Sequence, residues 1–275
     1  MRKFDWLLYL FVFGLLVWTL LSKDRHADAP EPAPYLLESD GPTLPPPSPL
    51  DDQVLVQVDA PKDGIGTAFA VNTKGDWITA RHVVDGCNSV GLLVAQDQYV
   101  PVETVTVDPD HDLALLSTGR SPHPVRLDLN SPLTVGTEGY HVGYPQGRPG
   151  EVASKLMSRS KLITRGRREG NEPILAWAEV GRTQGLEGTL GGISGGPVFD
   201  RAGNVRGVIV AESPRRGRIY TAPPETIEAF LTSLGVDPED GPVDSFDEQT
   251  YGPSSDSARR RLQVVKVACK VEPAQ

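Results

Sequence analysis

Short apolar runs separated by turn residues fill the chain from residue 52 to residue 221. The segments 54–58, 67–71, 77–80, 90–94, 100–107 and 113–116 have strand length and composition, with Gly, Asp, Asn and Pro between them. A second set follows at 134–144, 173–180, 197–199, 205–211 and 218–221. Two sets of short strands predict an all-β domain, built as two small barrels or as a sandwich. One helix is signalled over 223–234. Pro223 and Pro224 open it, Ile227, Phe230, Leu231 and Leu234 recur at helical spacing, and Gly235 closes it. Residues 236–261 are polar and turn-rich and read as a loop or a disordered segment. Residues 262–271 regain strand composition.

The N-terminus breaks this pattern. After Met1-Arg2-Lys3, an apolar stretch runs from Trp6 to Leu21. At about 1.5 Å per residue it spans roughly 24 Å, and Phe4 extends it toward bilayer thickness. Trp6, Tyr9 and Trp18 suit the membrane interface. The rival is a cleaved signal peptide, whose nearest small-x-small site is Ala27-Asp28-Ala29. An uncleaved transmembrane helix is the favoured expectation. Residues 22–50 hold Pro30, Pro32, Pro34, Pro42, Pro45, Pro46, Pro47 and Pro49 and predict an extended spacer. The expected layout is therefore an anchor or signal segment at 1–21, a linker at 22–50, a folded domain at 51–235 and a tail with a strand at 236–275.

The formal net charge of −9 argues against nucleic acid as the main partner, because phosphate binding needs a positive footprint. Only Cys87 and Cys269 are present, without a zinc or redox spacing. They form either one long-range disulfide in an oxidising compartment or two separate thiols. By the chain-entropy model such a bridge contributes about 5 kcal/mol.

Chemistry concentrates at three places. In Gly192-Ile193-Ser194-Gly195-Gly196-Pro197-Val198, glycines flank a serine and permit a tight turn. A serine becomes a nucleophile when a base takes its proton and backbone N–H groups face the developing oxyanion. The bland alternative is a Gly-rich loop with an incidental serine. The same residues fit the G-x-S-x-G elbow of α/β-hydrolases, but that fold needs a later histidine and none follows His141. Among five histidines, His82 sits just past an apolar strand, where a turn can present it to a cleft. His123 lies between prolines, and His141 alternates inside a strand and reads as structural. Asp112 opens an apolar run, a costly place for a carboxylate without a partner. Asp108 and Asp110 read as solvated turn residues, and His111 points away from Asp112.

The order His82, Asp112, Ser194 is that of chymotrypsin. Four blocks resemble those of trypsin-like serine proteases: 66–71 (GTAFAV), 78–84 (ITARHVV), 111–116 (HDLALL) and 192–198 (GISGGPV). The similarity covers roughly 52–235 and is greatest to the bacterial HtrA-like branch. It implies two six-stranded antiparallel β-barrels with a catalytic triad at their seam and a C-terminal helix. It also implies an oxyanion hole from the N–H groups of Gly192 and Ser194. Three departures stand out. The residues after Gly235 are too few for the PDZ domain usual in that branch, so the expectation is a chain without one. Ile193 stands where the family usually has Asn or Asp. The segment 146–172 is rich in Arg and Lys, where the family has activation and sensor loops, and it reads as a solvated basic loop. The small residues 188–192 suggest a small or aliphatic residue at the cleavage site. Glu212 would favour a basic one if it faced inward.

The expected function is a membrane-tethered serine endopeptidase acting on polypeptides, without metal or organic cofactor. Its activity should rise with pH as His82 loses its proton, around 6.5–7. The alternatives are a catalytically silent protease fold that binds peptides in the seam, and a tethered adaptor working through its spacer and tail. The anchor, the spacer and the cysteines together place the domain on the periplasmic or another extracytoplasmic side.

Overall fold

A computed structural model describes residues 41–272 together with Phe13. The expected anchor at 1–21 therefore lies, Phe13 aside, outside the described residues. Among the described residues no helix is long and apolar enough to cross a membrane. In chain order the elements are β1 (Asp52–Val58), β2 (Gly64–Ala70), β3 (Asp76–Thr79), the one-turn helix α1 (Arg81–Val84), β4 (Ser89–Ala95), β5 (Gln98–Pro101), β6 (Thr104–Val107) and β7 (Ala114–Ser117). There follow β8 (Arg126–Leu127), β9 (Glu138–Gly143), β10 (Gly150–Gly166), β11 (Gly170–Arg182), β12 (Pro197–Phe199), β13 (Asn204–Ser213), β14 (Arg218–Ala222), α2 (Pro224–Leu234), α3 (Tyr251–Arg260) and β15 (Val264–Lys270).

The strands form two sheets. The first has the order β5-β4-β15-β2-β3-β7-β6. Val102 and Glu103 join β5 to β6 and donate to Val90 and Ser117, so one bent strand links the two ends of this sheet. In the second sheet β9, β10, β11, β14, β13 and β12 pair in a closed ring. Two further strands depart from the expected antiparallel pattern: β1 runs parallel to β10, and β8 runs parallel to β13. The cause lies in the length of β10. Its residues 150–155 pair with β9, which leaves 160–166 open on the same edge, and β1 fills that edge.

Three expectations give way here. The basic loop at 146–172 is a hairpin of two long strands. Val152, Ser154, Leu156, Ser160, Leu162 and Thr164 are buried on one face; on the other, Lys155, Arg159, Lys161 and Arg165 are more exposed, while Ala153 and Ile163 are buried there too. The residues of the spacer from 41 to 50 lie on the second sheet. Leu44 is buried, its N–H donates to Leu133, and Arg159 donates to the Pro45 carbonyl. The segment 236–261, expected as a loop, packs on the domain: Phe246 stacks on Phe199 at 4.9 Å and Tyr251 packs near Tyr140. The strand expected over 262–271 does form, as β15, in the middle of the first sheet between β4 and β2.

Helix α3 escapes detection in the sequence because its inner face is largely polar. The Ser255 hydroxyl donates to the Tyr251 carbonyl and the Ser254 hydroxyl to Ser245. Arg259, buried, forms an ion pair with buried Glu151 at 2.6 Å and donates to the Gly150 carbonyl. The predicted helix is α2, with Ile227, Phe230 and Leu231 buried and Gly235 in the left-handed conformation at its end. A disulfide joins Cys87, just past α1, to Cys269 in β15. It closes a loop with a sequence separation of 182.

Candidate active site

His82 is placed by a short helix with two buried anchors. Strand β3 ends at Thr79, and α1 follows at once with Val83 and Val84 packed inward. Gly66 makes room for this helix, since a Cβ there would lie 2.3 Å from Val83 Cγ1. The imidazole Nδ1 lies 2.6 Å from Asp112 Oδ2, and the His82 main-chain N–H donates to Oδ1 at 2.9 Å. Asp112 is buried just before β7, so both its oxygens are matched and the cost of its burial is offset. Its own N–H donates to Glu172 Oε2 on β11 at 2.7 Å.

The electrostatics follow from this packing. Desolvation pulls the His82 pKa down, but the charge and hydrogen bond of Asp112 and the charge of Glu172 outweigh it and hold it above the ordinary imidazole value. Desolvation pushes Asp112 up, and the His82 charge, two hydrogen bonds from His82 and the charge of Arg168 bring it below the usual carboxylate range. Burial raises Glu172 to about 7, helped by the nearby charges of Asp112 and Asp108.

Ser194 sits on a loop shaped by backbone contacts between the two sheets. The Thr67 N–H donates to the Ser194 carbonyl at 2.9 Å, and the Thr67 hydroxyl donates to the Gly192 carbonyl at 2.8 Å. Gly195 has φ +84, and a Cβ there would lie 2.2 Å from Thr67 O and from Thr79 Oγ1. Gly192 has φ +101, and a Cβ there would lie 2.6 Å from the Tyr144 carbonyl. The N–H groups of Ile193, Gly195 and Gly196 donate to Leu190, Ile209 and Ile193. Those of Gly192 and Ser194 have no acceptor among the described residues, which leaves them available to a ligand. Gln146 braces the outer side of the loop: its N–H donates to the Gly191 carbonyl at 2.6 Å and its amide to Glu187 and Thr189.

His82, Asp112, Ser194 and Gly192 all line one cavity of about 440 Å³. Among the described residues no hydrogen bond joins the Ser194 hydroxyl to the imidazole, a looseness common in unliganded sites. Arg167, Arg168, Ile65 and Glu212 also line the cavity. Glu212 does not stand free. It accepts from Leu190 N–H at 2.8 and 3.0 Å and from the Thr189 hydroxyl, so its charge is spent on the loop before the serine.

The remaining candidates fall elsewhere. Buried His141 contacts Ser154 and Trp177, and desolvation lowers its pKa to about 3, as suits a structural histidine. His111 pairs with Asp108 and not with Asp112. Asp108 is not solvated as expected. It is buried, because the N–H groups of Asp110 and His111 cap its carboxylate. Sequence reasoning missed Thr67 and Glu172. The first lay inside a quoted motif without a role, and the second lay in what read as a basic loop.

Residues 66–208 match a family model described as a trypsin-like peptidase domain. The chain is 29% identical over 179 residues to a probable periplasmic serine endoprotease, DegP-like, of Bartonella henselae, covering 62% of this chain and 33% of that protein. It is 27% identical over 190 residues to uncharacterized protein y4bJ of Sinorhizobium fredii, covering 64% and 28%. The chain thus spans about a third of the length of these curated relatives. The active form of the Rv3671c protease from M. tuberculosis superposes with a TM-score of 0.52 at 19% identity, covering 72% of this chain and 96% of that one. That likeness shows the fold, which is mostly β and chymotrypsin-like with few helices.

Proposed function

The chain belongs to the trypsin-like peptidase family, and we propose that it is a serine endopeptidase that uses Ser194, His82 and Asp112 as its catalytic triad. The supporting observation is that Ser194 lines the same cavity as the bonded His82–Asp112 pair. Ser194 Oγ attacks the peptide carbonyl while His82 Nε2 takes its proton. Asp112 holds the proton on Nδ1 and stabilises the imidazolium. The N–H groups of Gly192 and Ser194 bind the oxyanion. His82 then protonates the leaving amine, and water releases the acyl group by the same steps. The two six-stranded barrels of the family resemblance would meet at this cavity.

The substrates are polypeptides. With Glu212 tied to residues 189–190, a small or aliphatic residue fits the primary pocket better than a basic one. The domain acts tethered to a membrane by residues 1–21, on the periplasmic or another extracytoplasmic side. The Cys87–Cys269 disulfide and the apolar N-terminal run support that location. The test is covalent labelling of the purified protein by a fluorophosphonate probe. Labelling of the native chain and its loss in a folded Ser194→Ala variant is the expected result. A native chain that stays unlabelled and cleaves no peptide from a library overturns the proposal.

A further inference from the structure

Glu172 is an unusual residue to find behind a His–Asp pair. It lies on β11, paired in register with Leu162 of β10, and is 1% exposed. One oxygen accepts the Asp112 N–H at 2.7 Å, and the other, Oε1, meets no polar partner among the described residues. A half-satisfied carboxylate is costly to bury, since an unpaired buried charge loses its hydration. The charged neighbours define its surroundings. Asp112 and Asp108 face it from the turn before β7, where His111 is paired to Asp108. Arg168 acts on it from the end of the β10–β11 hairpin. His82 lies beyond Asp112 and responds to its charge. Arg81 of α1 donates to the Asp108 carbonyl and closes the cluster.

We propose that Glu172 is a positioning residue for the catalytic pair: it fixes the main chain of Asp112 and, when ionised, adds a second negative charge behind the imidazole. The inference rests on the triad reading above. In its ionised form Glu172 favours the imidazolium that forms as Ser194 is deprotonated. In its protonated form it does not. Burial pushes its carboxyl up to about 7, so both forms are within reach near neutral pH. A proton on Glu172 disfavours a proton on His82, and the reverse holds. The acid limb of activity should therefore be broader than that of a single proton. This refines the simple rise near 6.5–7 expected from the sequence: the His82 pKa is raised, so the limb lies above the ordinary imidazole range.

The experiment compares the full chain with its Glu172→Gln variant, which keeps an oxygen for the Asp112 N–H and removes the charge. The first readout is the imidazole titration of His82 by nitrogen NMR, which needs no activity. In the variant the midpoint should move to lower pH and the curve should narrow to one proton. The second readout is the rate of fluorophosphonate labelling against pH. It should show the same change, with the plateau lowered severalfold, because the imidazolium loses one of its two nearby negative charges. If the variant does not fold, Arg168→Gln serves instead. Removing that positive charge should move the His82 midpoint the opposite way, to higher pH. Superimposable titrations in variant and native chain overturn the inference. A native chain that is never labelled while its His82 midpoint still depends on Glu172 overturns the protease reading and leaves the electrostatic one standing.

Discussion

The two sides of the cavity are built by different means. The serine side is held by shape. Gly192 and Gly195 take left-handed backbone angles, and main-chain groups of Thr67 and Ile209 hold the loop. Most of its bonds run between main-chain groups, and the Glu212 carboxylate accepts from Leu190 N–H and the Thr189 hydroxyl. The histidine side is held by charge. His82, Asp112, Glu172 and Arg168 act on one another, and their protonation sets the strength of each contact. The lesson is that a substitution on the first side should lower activity at every pH, and one on the second should also change the shape of the pH profile.

The largest expected effect comes from breaking the charged side at its centre. Asp112→Asn should lower kcat by about 10⁴-fold, because the amide favours the wrong tautomer of His82 and gives the imidazolium no counter-charge. The sign of the pH effect is fixed as well. Asp112 raises the His82 pKa, so its loss should carry the acid limb of the residual activity to lower pH. Turnover of a peptide substrate across pH 5–9 measures both. A loss smaller than about tenfold would mean that the carboxylate has no part in the chemistry.

Next in size is an attack on the shaped side. Gly195→Ala adds a methyl group 2.2 Å from two oxygens at a backbone angle of φ +84. The loop must shift or the sheets must part, at a cost of about 3 kcal/mol or more. Activity should fall about 10²- to 10³-fold as the oxyanion donors leave their places. The midpoint of the pH profile should stay where it is. Urea unfolding and the pH profile together test this, and a moved midpoint would show that the two sides are not separable.

The same contrast explains what was legible in the sequence. His82, Asp112, Gly192 and Ser194 stand at strand ends and in turns, where a polar or glycine residue interrupts an apolar pattern and draws notice. Most of the strands that carry them were legible for the same reason. Strand β10 was not, because its outward face carries Lys155, Arg159, Lys161 and Arg165 and its buried face includes Ser154, Ser160 and Thr164. Hydrophobicity alone does not separate such faces. Helix α3 hides likewise behind buried Ser254, Ser255 and Arg259: the serines turn their hydroxyls to nearby carbonyls, and Arg259 pairs with Glu151, distant in the chain. Glu172 is the extreme case. Nothing local distinguishes it from the exposed Glu169 three residues earlier, and only the fold brings it to Asp112. Phe246 and Tyr251 were lost in a polar segment because two aromatic residues give no period to read.

The smallest effect gives the sharpest test of the shaped side. Thr67→Val keeps the size of a fully buried residue and removes one hydroxyl. That hydroxyl donates to the Gly192 carbonyl at 2.8 Å and accepts from the Tyr144 N–H at 3.1 Å, so both groups lose a buried partner. The cost to stability should be about 1–3 kcal/mol. The Thr67 N–H still holds the Ser194 carbonyl, so the nucleophile keeps its main tether while the Gly192 peptide gains freedom. Because the freed carbonyl and the proposed oxyanion donor, the Gly192 N–H, sit on the two sides of the same α-carbon, kcat should fall about tenfold with KM nearly unchanged, and by the same factor at every pH. An unchanged kcat would mean that the Gly192 N–H does not act on the oxyanion. A factor that varies with pH would carry the hydroxyl's influence over to the histidine side, against the division of labour between shape and charge.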